Sequence, residues 1–69
     1  MGWCSGTEIF DNMADEITSP YYDMSPGLAA DLLNELIRNL RDHDWDCEGD
    51  SKYWDDPFIG KLLRRPNGR

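Results

Sequence analysis

Leu28, Leu32, Leu36 and Leu40 stand four residues apart, and Ala29, Leu33 and Ile37 form a second row beside them. On an α-helix both rows fall on one side, giving a wide apolar face that has to be covered. The start of the helix is written just before it. Ser25 offers a side-chain oxygen to the opening amides, and Pro26 takes the first helical position, where its missing N–H costs nothing. The spacing predicts a helix over 26–42 that accepts one element on each flank. A chain of 69 residues has room for one domain around such a helix. A domain near that size buries only about 60% of the surface that its unfolded chain exposes, so the core is thin. Support from a disulfide, a metal, a dimer interface or a partner is a common remedy at this length.

Two shorter helices are expected to flank it. Ile9, Phe10, Met13, Ala14 and Ile17 recur at spacings of three and four, which predicts a helix over 7–17 with Thr7 as its N-cap. Asp11, Asn12, Asp15 and Glu16 are expected to face away from that stripe, and Thr18-Ser19-Pro20 to end the helix. Asp56-Pro57 repeats the start signal, and Phe58, Ile59, Leu62 and Leu63 then line a third helix over 57–64. Gly60 weakens that helix by about 1 kcal/mol relative to Ala. Trp3 is expected to cap the core. The fold class is therefore all-α: a small single-domain three-helix arrangement over 1–65, with a frayed basic tail at 66–69.

Between the second and third helices lies an acidic, aromatic-rich connector, 42–56, and here the charge concentrates. Residues 1–41 carry seven acids against two bases, 42–56 seven acids against Lys52, and 57–69 four bases and no acid, so the segments stand at −5, −6 and +4. An acidic body repels nucleic acid and anionic membranes and steers toward a partner with a basic face. Direct nucleic-acid binding is not expected. No apolar run approaches the roughly 18–20 residues that span a bilayer, and the opening residues lack the basic start and apolar stretch of a secretory signal. Without such a signal, Cys4 and Cys47 are expected to be reduced thiols, although they lie near opposite ends of the folded region and could meet.

Four chemistries compete for the connector. Asp44, Asp46, Glu48 and Gly49 match positions one, three, five and six of a helix–loop–helix calcium loop, with Asp55 at position twelve. Against it, Ser51 replaces the usual branched apolar residue and Asp55 is shorter than the bidentate Glu. His43, Cys47 and Cys4 form a candidate zinc set, yet no paired ligand motif supports it, and a lone His among acids is ordinarily solvated or ion-paired. The carboxylates could divide acid and base work only in a pocket, and nothing supplies one. A protein-binding surface fits best. Its candidate contact residues are Asp42, Asp44, Trp45, Asp46, Glu48, Asp50 and Tyr53, with Trp54 expected to be the buried tryptophan. Dense carboxylates can also compete with duplex DNA for a basic groove, since DNA presents about one charge per 1.7 Å. The plainer account is that the acids keep a small protein in solution. No catalytic residue, cofactor or metal ligand is assigned, and the chain is not expected to be an enzyme. A calcium or zinc domain is the alternative, and a homodimer built on Leu28, Leu32 and Leu36 is a third.

The opening Met1-Gly2-Trp3-Cys4-Ser5-Gly6-Thr7-Glu8-Ile9-Phe10-Asp11, together with Asp44-Trp45-Asp46-Cys47 and Asp50-Ser51-Lys52-Tyr53, resembles small acidic proteins encoded by bacteriophages and prophages. The resemblance covers most of residues 1–59 and leaves out the basic tail. It carries no catalytic residues to transfer. It implies a phage accessory protein of the host bacterial cytoplasm, of the kind that binds a host protein and inhibits or redirects it.

Overall fold

The computed structural model describes residues 4–64, so the expectations for Trp3 and for the tail at 66–69 lie outside the described residues. The described chain folds as three α-helices and no strand: α1 (Gly6–Ile17), α2 (Pro26–Arg41) and α3 (Ile59–Leu63), with a short 3₁₀ turn at Glu48–Asp50 inside the connector. No helix among these residues is long and apolar enough to cross a membrane. The all-α, three-helix expectation holds, with α3 beginning two residues later than its sequence signal.

Helix α2 packs against both α1 and α3. Its start follows the sequence: Pro26 is in the first turn and the Ser25 hydroxyl accepts from the Leu28 amide at 3.2 Å. The core is built from Phe10, Ala14 and Ile17 of α1, Ala29, Leu33, Ile37 and Leu40 of α2, Trp45 of the connector, and Ile59 and Leu63 of α3. The Leu, Ile and Phe side chains among them each contribute about 1.5–3 kcal/mol when fully buried. Leu28 and Leu32, expected in the same face, stand outside it at 51% and 41% exposure. Ile9 and Met13 of α1 are exposed as well.

Two local expectations change, and one between them holds. Thr7 does not cap α1; Ser5 precedes the helix without a side-chain cap bond, and the Thr7 hydroxyl is buried and used elsewhere. Asp56 does serve the start of α3, its Oδ2 accepting from the amides of Phe58 and Ile59 at 2.9 and 2.7 Å. Gly60 is more than a weak helix former. A Cβ there would run into the Trp54 carbonyl, with the carbonyl carbon at 3.0 Å, so the close approach of connector and α3 requires glycine.

The end of α2 decides where the connector goes. Asp44 has φ 67°, in the left-handed region. Its amide donates to the Arg41 carbonyl at 3.1 Å, and the Trp45 amide reaches back to the Leu40 carbonyl at 3.1 Å. This is a Schellman turn, in which the residue after the left-handed one commonly packs on the last apolar residue of the helix. Here those residues are Trp45 and Leu40, both buried. Trp45 is thus driven inward.

Candidate functional site

The connector is fastened to all three helices. At its first anchor the Trp45 ring is 2% exposed and stacks on Phe10, with centroids 5.5 Å apart. Its indole Nε1–H donates to the Thr7 hydroxyl at 3.0 Å, and that hydroxyl donates to the Cys47 carbonyl at 2.9 Å. Cys47 is joined to Cys4 by a disulfide across 43 residues of chain, with Cα atoms 5.2 Å apart. The expectation of two reduced thiols is corrected: the Schellman turn and the Thr7 relay carry Cys47 to the residues leading into α1. The Trp45 expectation is corrected too. It is a core residue, and no contact surface can use it.

Asp11 and Asp15, one and two turns beyond Thr7, form the second anchor. The Ser51 hydroxyl donates to Asp11 Oδ1 at 2.6 Å and accepts from the Tyr53 amide at 3.1 Å, while the Lys52 amide donates to Asp11 Oδ2 at 3.3 Å. Lys52 Nζ pairs with Asp15 at 2.9 Å, and the Tyr53 hydroxyl donates to the same carboxylate. These two donors, Tyr53 before Lys52, hold the Asp15 carboxyl below its ordinary range. Burial, and then the bond to Asp15, pushes the Tyr53 phenol up. Tyr53 is therefore half-buried and occupied rather than presented to a partner. Thr7, Asp11 and Asp15 share one helix face at i, i+4 and i+8, a spacing visible in the sequence, where Thr7 reads as a cap and the two acids as a face turned away from the core.

Arg41 and Arg64 complete the fastening. Arg41 Nε pairs with Glu48 at 2.6 Å, their side chains only 15% and 18% exposed, and its Nη2 donates to the Leu63 carbonyl at 2.9 Å. Glu48 is thereby neutralised and half-buried, which removes it from the contact residues as well. Arg64 donates to the Trp54 carbonyl and lies 5.8 Å from the centre of its ring. Trp54 is half-buried, so the expected order of the two tryptophans is reversed.

What the connector displays is a set of its acids. Asp42, Asp44, Asp46 and Asp50 are exposed, and no ion pair among the described residues includes any of them. Of the seven expected contact residues, these four form the candidate surface. The calcium-loop reading loses its geometry: Glu48 is committed to Arg41, and Trp45, which that loop would contain, is in the core. The zinc set of Cys4, Cys47 and His43 is not assembled either. The one group of three metal-binding side chains among the described residues is Cys4, Cys47 and Asp50. No protein-family model matches the chain, and no curated protein or solved structure matches it.

Proposed function

We propose that the chain is a phage accessory protein that binds a basic surface on a host protein in the bacterial cytoplasm and inhibits or redirects it. Asp42, Asp44, Asp46 and Asp50 make the contact. The supporting observation is that these four carboxylates are exposed and outside every described ion pair, on a connector tied to α1, α2 and α3. A fastened loop loses little conformational freedom on docking, so more of its charge attraction is realised as affinity. Asp→Asn at all four positions tests the reading, because Asn keeps the side-chain size and tolerates the left-handed backbone at Asp44. Wild type is expected to capture a defined bacterial protein that the variant loses. Capture should weaken between low and moderate salt, since the Debye length falls to about 8 Å at physiological ionic strength. No captured protein, or equal capture by the variant, would overturn the proposal. Competition by duplex DNA for the captured protein decides whether the surface imitates nucleic acid.

Exposed Leu28 and Leu32 favour a second reading, a homodimer through that flank of α2. Its measurement is the mass in solution: a doubled value that Leu28→Asp with Leu32→Asp returns to a monomer's.

A further inference from the structure

We infer that Cys4, Cys47 and Asp50 form a redox-gated site for a zinc-like divalent cation. The two sulfurs and an Asp50 carboxylate oxygen all lie within 4.8 Å of one another. Cys4 and Asp50 are exposed and Cys47 is half-buried, so an ion can reach all three. Two thiolates and a carboxylate form a donor set suited to a tetrahedral Zn²⁺, with water in the fourth position. While the disulfide is intact, the sulfurs are bonded to each other and cannot serve. Reduction by a dithiol opens the site: the dithiol gives two electrons and two protons, becomes a disulfide itself, and leaves Cys4 and Cys47 as thiols. The cation then displaces both thiol protons to solvent. The Asp50 amide donates to the Cys47 carbonyl at 3.0 Å, which fixes Asp50 beside Cys47 through the 3₁₀ turn. The cation thus takes over the disulfide's role of joining the start of α1 to the connector where thiols are kept reduced. This inference does not depend on the partner reading.

Cobalt(II), alone with the full chain, is the probe, because thiolate ligation gives it a charge-transfer absorption band. The chain is first reduced with a trialkylphosphine, which leaves as its oxide with oxygen from water, and the excess is removed. One equivalent of Co²⁺ is expected to bind with that band and to be displaced by Zn²⁺, while the oxidised chain shows no band. Cys47→Ser should abolish the band. Asp50→Asn keeps both thiols and should weaken binding by more than the roughly 100-fold that marks the upper end of what loss of an outer-shell partner costs. If reduction melts the helices, Zn²⁺ should restore the helical circular dichroism. No band with reduced wild type, unchanged affinity in Asp50→Asn, or a band without recovered helicity in a melted chain would each overturn the site.

Discussion

Thr7 shows how much one hydroxyl can carry. It accepts from the buried Trp45 indole and donates to the Cys47 carbonyl, joining α1 to the connector at two points. Valine has the same shape without the hydroxyl, and it would leave a buried N–H unpaired. Thr7→Val is expected to cost about 1–3 kcal/mol, whereas Thr7→Ser keeps most of the stability. Urea unfolding followed by tryptophan fluorescence measures both, and equal stability of valine and wild type would show that the relay holds nothing. The Asp15 and Tyr53 pair gives a second outcome at this scale, in pH. The Asp15 carboxyl is depressed in the fold, so its contribution is present above about pH 4 and lost as pH falls through the folded value. The Tyr53 phenol is raised, so its contribution is present below about pH 10 and lost as pH rises through the folded value. Tyr53→Phe removes the first of the two donors on Asp15 and the phenol itself. Melting temperatures across the pH range should therefore flatten at both ends in that variant, and unchanged limbs would assign the pH dependence to other groups.

The elements differ in how plainly the sequence announces them. The starts of α2 and α3 were legible because Ser25-Pro26 and Asp56-Pro57 encode their caps in side-chain chemistry. Which leucines face the core was not. A strict four-residue row drifts about 40° per step around a helix of 3.6 residues per turn. Exposure falls along the row accordingly: Leu28 51%, Leu32 41%, Leu36 half-buried, Leu40 6%. The core follows Ala29, Leu33, Ile37 and Leu40 instead, where the final step of three reverses the drift. The turn that follows α2 was hidden for a different reason. An aspartate among six other connector acids reads as charge, while Asp44 acts through its backbone, holding the left-handed position that turns Trp45 onto Leu40. That origin predicts an order of substitutions. Asp44→Val places a β-branched residue at positive φ and should lose about 1–2 kcal/mol. Asp44→Gly removes the same charge without that strain and should unfold at no lower urea concentration than wild type. Equal losses in the two variants would mean that the charge, not the turn, is what matters there.

At the scale of the whole molecule, a thin core is closed by one covalent tie. The fold brings together the start of α1 and the connector at Thr7, Trp45, Cys47 and the disulfide. No spacing rule could have revealed that pairing, because the cysteines are 43 residues apart and meet only after α1 and α2 have packed. In the loop-entropy view, a crosslink of that span stabilises the fold by about 4 kcal/mol, chiefly by restricting the unfolded chain. Small domains have only about 5–15 kcal/mol in total, so this one bond is a large share. Cys4→Ser and Cys47→Ser should therefore each lower the unfolding free energy by a similar, large amount. The double variant should lose no more than either single one, since all three remove the same bond. Metal-free wild type with its disulfide reduced should converge on that common value. If the losses instead added, each cysteine would be contributing separately through its own packing, and the chain would be held by its three helices without the tie.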